Sequence, residues 1–91
     1  MRGGQYKGWG MTADDATEQI DQRIRAGQYP VDSRLPTTKE LAAELGLSMA
    51  TIHGVMARLE ERGLVYTTRG RGAGRFVARR AFWRRLRQNG R

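Results

Sequence analysis

Arginine is the side chain with the clearest chemical bias in this sequence, and it is concentrated at one end. Residues 69–91, RGRGAGRFVARRAFWRRLRQNGR, contain nine arginines and no acidic residue, whereas residues 1–68 contain eight basic and nine acidic residues. Guanidinium groups bind phosphate well, so this asymmetry favours a polyanionic partner, either a nucleic acid or an anionic membrane. The other interpretation is a solvated basic end that binds nothing.

Side chains for catalysis or metal binding are scarce. The chain has no cysteine and one histidine, His53, and no second histidine or acidic cluster accompanies it. A metal site is therefore not expected. No nucleophile is paired with a base, and GRGAG lacks the lysine and hydroxyl residue of a Walker motif. The sequence predicts a protein that is not an enzyme and that needs no cofactor.

Length and hydropathy limit the architecture. With 91 residues the chain has room for one domain with a modest core. It has no run of 18 apolar residues, and its first ten, MRGGQYKGWG, lack the apolar region of a signal peptide. We expect residues 1–11 to be a flexible, Gly-rich arm. The lack of cysteine fits a reducing, intracellular compartment.

Helical periodicity and capping residues predict two helices before residue 46. Helix 1 is expected at about 12–26, with Thr12 and Asp15 as a loose capping box and an apolar stripe at Ala13, Ala16, Ile20 and Ile24. QYPVDSRLP then forms an extended connection that contacts the core through Tyr29, Val31 and Leu35. Helix 2 is expected at about 38–45, capped by Thr37 with Glu40, ended by Gly46, and buried through Leu41, Ala42 and Leu45.

A third helix and a β-hairpin follow. Ser48 caps helix 3, Gly63 ends it, and its buried face is Ile52, Val55, Met56 and Leu59. Gly54 inside this helix either permits a close approach or is a tolerated exposed glycine. LVYTT and RFVA are short strands around the loop RGRGAG. The tail, residues 79–91, could form a short helix with Phe82, Trp83 and Leu86 at helical spacing.

The order of these elements predicts a winged helix over residues 12–78. Helices 2 and 3 are joined only by GLS, as in a helix-turn-helix, and the hairpin that follows is the wing. The expected fold is mainly α, with three helices and a two-stranded antiparallel wing.

The stretch IRAGQYPVDSRLPTTKELAAELGLS, with the later GLVYTT and GRGAGRFVA, resembles the DNA-binding domain of GntR-type bacterial transcription regulators. This resemblance implies that double-stranded DNA is the partner, that helix 3 enters the major groove, and that the wing contacts phosphate or the minor groove. The DNA contacts it predicts are Arg34, Thr37, Lys39, Ser48, Met49, Ala50, Thr51, His53, Arg69, Gly70, Arg71 and Arg75.

The sequence departs from the GntR pattern at three places. Family members usually carry arginine early in helix 3, where this chain has Met49, His53 and Gly54. Arginine makes the commonest specific contact with guanine, so base reading here is expected to be weaker or different. The wing is about two residues longer than usual. Only thirteen residues follow Ala78, so no effector-binding domain and no ligand-sensing role are expected.

Three functional hypotheses remain open. The first is a cytoplasmic, nucleoid-associated, sequence-specific transcriptional regulator, a repressor that binds as a homodimer. The second is an architectural DNA-binding protein without sequence preference, held mainly by the tail. The third is a protein-interaction module that uses FWRRL. The tail is expected to contact phosphate through Arg79, Arg80 and Arg84, with Arg85 and Arg87 following the DNA backbone beyond the wing. Phe82, Trp83 and Leu86 pack on the core, on a second copy or on a partner, and a membrane role is the least expected.

Overall fold

Three capped helices and a β-hairpin make up residues 11–70 and 72–84, the part of the chain that the computed structural model describes. The helices are α1 (Ala13–Arg25), α2 (Thr38–Leu45) and α3 (Met49–Glu61). The strands are β1 (Val65–Thr68) and β2 (Gly74–Val77), and a short 3-10 turn follows at Arg80–Phe82. The fold class predicted from the sequence is confirmed. Residues 1–10, 71 and 85–91 lie outside the description, including most of the predicted arm and Leu86.

Local capping chemistry places the helix starts. The Thr12 hydroxyl accepts the Asp15 N–H at 3.0 Å, and the Asp15 carboxylate accepts the Thr12 N–H at 3.1 Å, which completes a capping box. Thr37 and Glu40 form the same reciprocal pair at the start of α2. Such caps satisfy backbone donors that have no partner inside the helix, and so they fix the first residue of each helix.

One apolar cluster joins all three helices to the hairpin. The predicted faces of α1 and α3 are buried, with Ile20, Ile52 and Leu59 at its centre. Leu35 is buried and Tyr29 packs against the cluster, but Val31 remains 40% exposed, so its predicted core contact was wrong. Met11 also packs against this core. Among the described residues no helix is long and apolar enough to cross a membrane.

The hairpin is hydrogen-bonded along one edge to another segment of the chain. β1 and β2 are antiparallel, in a register running from Val65 opposite Val77 to Thr68 opposite Gly74. The connection between α1 and α2 lies along the outer edge of β2. There the Val77 N–H donates to the Ser33 carbonyl at 3.0 Å, and the Leu35 N–H donates to the Arg75 carbonyl at 2.8 Å. The wing is therefore bonded to the segment that leads into the helix-turn-helix.

The chain after β2 folds back onto the helices. The Trp83 indole N–H donates to the Ala78 carbonyl at 2.8 Å, and its ring packs against the core. The Arg84 N–H donates to the Arg62 carbonyl at 2.8 Å. Gly63 has φ +74°, and a Cβ there would overlap the Phe82 carbonyl, so glycine permits this close passage. The described part of the tail thus contains one 3-10 turn, and of its two aromatic side chains only Trp83 is packed.

A buried carboxylate ties α1 to the end of α3. Asp21 is 1% exposed and accepts hydrogen bonds from Arg25 Nε at 2.5 Å and Arg62 Nη1 at 2.7 Å. Arg62 Nη2 also donates to Glu18 at 2.7 Å. The hydrogen bond to Glu18 raises the pKa of Arg62 above its ordinary value, against the opposing effect of burial. A buried carboxylate is tolerated when it is paired in this way.

The Tyr66 phenol is expected to ionise above its ordinary pKa of 10.0. Desolvation raises its pKa most, followed by its hydrogen bond to Asp32, in which the phenol donates at 3.2 Å. Because folding favours the neutral phenol, its contribution to stability is complete below pH 10 and is lost as pH rises through the raised pKa. A ¹³C NMR titration of Tyr66 checks this. Asp32→Asn should lower the pKa, and an unchanged value would contradict the role of Asp32.

Candidate nucleic-acid interface

The turn between α2 and α3 sets the angle of the helix-turn-helix. Gly46 adopts φ +70°, a left-handed conformation that glycine reaches without strain, and it ends α2 there. Ser48 then caps α3, its hydroxyl accepting the Thr51 N–H at 3.1 Å. The start of α3 consequently faces outward, with Met49 47% exposed and His53 exposed.

A cleft of about 420 Å³ lies between the start of α2, the first turns of α3 and the base of the wing. Six of the residues predicted to contact DNA line it: Arg34, Thr37, Lys39, Met49, His53 and Arg75. Its other lining residues are apolar or neutral, and none is acidic. The cleft therefore combines three permanent cations with the positive end of a helix, an arrangement that attracts phosphate.

Arg75 occupies the inner part of this cleft. It projects from β2, is half-buried, and donates from Nη1 to the Thr38 hydroxyl at 3.2 Å. Its Nε is buried without a hydrogen-bond partner among the described residues. An unsatisfied buried donor costs about 1–3 kcal/mol, and charged groups cost more.

Arg34 crosses the base of the wing. Its Nη2 donates to the Gly72 carbonyl at 3.3 Å, and its guanidinium lies 5.2 Å from the centre of the Phe76 ring. A Cβ at Gly74 would collide with this guanidinium, so the glycine makes room for it. Arg34 is still exposed, so it can brace the wing and meet a phosphate with the same group.

The remaining predicted contacts that the structure describes lie outside the cleft. Ala50 is exposed on the outer start of α3, beside Ser48 and Thr51, whose hydroxyls lie 2.9 Å apart in a hydrogen bond. Arg69 and Gly70 are exposed at the wing, and Arg71 falls outside the described residues. Sequence reasoning missed Thr38, the partner of Arg75. Its only signal was its position as the first residue of helix 2.

The described tail arginines face another part of the surface. Arg80 lies 4.9 Å from the centre of the Trp83 ring, and Arg84 is bonded through its backbone to Arg62. Helix α3 rises about 20 Å between Ser48 and Arg62, so Arg84 is far from the start of α3. Arg79 lines a second groove beside Phe82. The predicted phosphate contacts of Arg79, Arg80 and Arg84 thus do not share the cleft. Arg85 and Arg87 lie outside the described residues.

Within residues 11–70 and 72–84, no three His, Asp or Glu side chains form a group able to hold a metal ion. His53 faces the cleft beside Lys39 and Met49 rather than a cluster of acids.

Gly54 has no close neighbour in the chain. A Cβ added there would meet nothing within 4 Å. Gly54→Ala is therefore expected to raise the free energy of unfolding by about 0.5–1 kcal/mol, because glycine costs that much inside a helix. Urea denaturation measures it, and Ala57→Gly on the same exposed helix should lower stability by a similar amount. Loss of stability on Gly54→Ala would contradict the open space seen at this position.

Comparison with known proteins identifies the chain by this same region. The family described as "Bacterial regulatory proteins, gntR family" matches residues 12–74, which include the helix-turn-helix and most of the wing. The chain belongs to the gntR family.

Curated members of the gntR family share this region with the chain. The chain is 40% identical over 65 residues to the HTH-type transcriptional regulator RmpR of Mycobacterium gastri, covering 71% of this chain and 24% of RmpR. It is 34% identical over 55 residues to the HTH-type transcriptional repressor NagR of Bacillus subtilis, covering 60% of this chain and 23% of NagR. The chain therefore spans about a quarter of the length of either relative.

Solved structures of the family have the same fold. The DNA-binding domain of AraR, determined in complex with operator ORR3, superposes with a TM-score of 0.66 at 33% identity, over 72% of this chain and 77% of that one. A GntR family transcriptional regulator from Listeria monocytogenes gives a TM-score of 0.66 at 30% identity, over 72% of this chain and 56% of that one. These similarities confirm the winged-helix architecture predicted from the sequence.

Proposed function

We propose that this protein is a sequence-specific transcriptional regulator, a repressor that binds double-stranded DNA. The observation that carries the proposal is the acid-free cationic cleft, in which Arg34, Lys39 and Arg75 converge beside the exposed start of α3. The AraR domain of the same fold was solved on an operator, and NagR is named a repressor. No catalytic role is proposed.

In this proposal α3 lies in the major groove and the cleft receives the adjacent sugar-phosphate backbone. Met49, Ala50 and His53 are the exposed side chains at the start of α3, so they would read base edges. Arg34, Lys39 and Arg75 would bind phosphate, and Arg69 with Arg71 would reach phosphate or a narrow minor groove. The hydroxyls of Thr37 and Ser48 already cap helices, so these residues would contribute through helix N-termini.

The protein is proposed to bind as a homodimer in the cytoplasm, at the nucleoid. The short exposed segment of α3 carries no arginine, and each good base contact is worth about 1–3 kcal/mol. One copy would discriminate poorly between sites, whereas two copies on an inverted repeat double the number of base contacts.

Selection from a random duplex library at about 0.15 M salt tests the proposal, because phosphate contacts dominate affinity at lower salt. We expect an enriched inverted repeat. Retention of duplexes without any shared motif would contradict sequence-specific regulation and support the architectural alternative. That alternative draws on the arginine-rich segment 69–91. Failure to retain any duplex would contradict DNA binding itself and leave the protein-interaction alternative.

A further inference from the structure

A second groove shares no lining residue with the cationic cleft. It measures about 570 Å³ and is lined by Asp32, Gly63, Val65, Tyr66, Ala78, Arg79 and Phe82. Four large apolar side chains of the described residues are exposed, and Phe82 is the most exposed of them at 63%. Tyr66 and Phe82 line this groove, while Met49 lines the cationic cleft.

The groove has the composition of a protein contact. Exposed aromatic side chains around a concave apolar surface are typical of the centre of an interface, where one anchor fills a pocket on the partner. Among the residues that line the groove, Phe82 is highly exposed, whereas Val65 and Ala78 are buried. An exposed apolar side chain beside a recess of matching chemistry suits a two-fold contact, since each copy then supplies both parts.

The charges around the groove are also self-complementary. It has one acidic side chain, Asp32, and one basic side chain, Arg79. Contacts across a two-fold axis are reciprocal, so if Asp32 of one copy meets Arg79 of the other, the pair forms twice. A partner of a single charge would meet one favourable and one unfavourable group here. The geometry therefore favours a second copy of this chain as the occupant.

We infer that two copies of this protein associate through the groove beside Phe82, with Phe82 of each copy entering the groove of the other. This deepens the proposed function, because it gives the DNA-binding dimer a surface. The groove adjoins Gly63, about 20 Å along α3 from its start, so the two recognition helices could begin up to about 40 Å apart. That range includes the spacing of about 34–36 Å between half-sites one turn apart.

Reversing the charge of Asp32 or of Arg79 tests this contact directly, without DNA. In Asp32→Lys alone, the new lysine of each copy faces Arg79 of the other, so both pairs are basic. In Arg79→Asp alone, the new aspartate of each copy faces Asp32 of the other, so both pairs are acidic. Mixing the two variants pairs an acidic with a basic group at both positions. Sedimentation equilibrium should show association of the original protein, at least about tenfold weaker association of each variant alone, and recovery in the mixture.

Two further variants separate the contact from nonspecific effects. Glu61→Lys makes the same charge change as Asp32→Lys at an exposed site that does not line the groove, and it should leave association unchanged. Phe82→Ala should weaken association at least about tenfold through loss of the anchor. Thermal melting establishes that each variant is folded, which matters most at Asp32 because its φ is +67°.

The outcomes distinguish this inference from the proposed function. A protein that is monomeric at every concentration, or a mixture that fails to recover association, overturns the groove contact. DNA binding is measured separately, on a duplex with a single half-site. If Phe82→Ala loses association but still binds the single half-site duplex, both proposals are supported. Association through the groove without DNA binding supports this inference and contradicts the proposed function.

Discussion

Replacing Asp21 with alanine is expected to lower the free energy of unfolding by about 3–5 kcal/mol. The side chain is buried and is bonded to both Arg25 and Arg62, so its removal leaves Arg25 without its carboxylate partner and Arg62 with Glu18 as its remaining one. Removing one member of a buried ion pair has a cost of this size because the remaining charge is uncompensated. Stabilities of small domains are about 5–15 kcal/mol, so the variant would be close to unfolding at room temperature.

Asp14→Ala provides the matched control for this prediction. Asp14 also lies on α1 and also pairs with an arginine of α3, Arg58, but its side chain is 86% exposed. Exposed pairs are worth about 0–1 kcal/mol, so this substitution should change stability little. Chemical denaturation of the two variants measures the difference. Equal effects would show that burial of the Asp21 cluster contributes nothing.

Replacing Arg75 with alanine is expected to weaken binding to duplex DNA by about 10- to 100-fold. A hydrogen bond to a charged group contributes about 1.5–3 kcal/mol, and the Arg75 guanidinium lines a cleft that has no acidic side chain. The loss of one phosphate contact should also reduce the slope of log affinity against log salt by about one. Fluorescence anisotropy over a salt series measures both quantities. Arg75→Lys should recover only part of the affinity, since lysine keeps the charge but not the planar donor group.

Arg80→Ala is the charge-matched comparison for Arg75→Ala. It removes the same charge from a residue that lies over Trp83 and outside the cleft. We expect less than a threefold loss of affinity, in the range of a screened surface charge. A loss as large as that of Arg75→Ala would contradict the assignment of the phosphate contact to the cleft. It would instead support the prediction that the tail supplies the affinity.

Local signals were sufficient to predict the elements of this fold. The helices begin after the capping residues Thr12, Thr37 and Ser48. Two of them end at the left-handed glycines Gly46 and Gly63. These signals act over a few neighbouring residues. The short GLS connection then predicts the helix-turn-helix. Most of the predicted buried positions are correct because apolar periodicity reports the buried face directly.

Contacts between distant segments were beyond prediction from the sequence. Asp21 looks like one more acid on a charged helix, and only the position of Arg62, 41 residues later, explains its burial. Phe82 and Trp83 are adjacent and chemically alike, yet Trp83 packs on the core while Phe82 stays exposed. Likewise, charge alone could not separate Arg75 in the cleft from Arg79 in the second groove, because a charge pattern carries no information on direction.

The hydrogen bonds along the outer edge of β2 have a consequence for solubility and assembly. Exposed strand edges present rows of unpaired N–H and C=O groups that can recruit strands from other molecules. Here the segment around Ser33 and Leu35 accepts and donates those bonds, so this side of the hairpin is closed to strand addition. Crowded copies along a DNA molecule would therefore be protected at this edge from fibre-like polymerisation. Any association at this side of the hairpin must use side chains, which is the kind of contact that can form and dissociate reversibly.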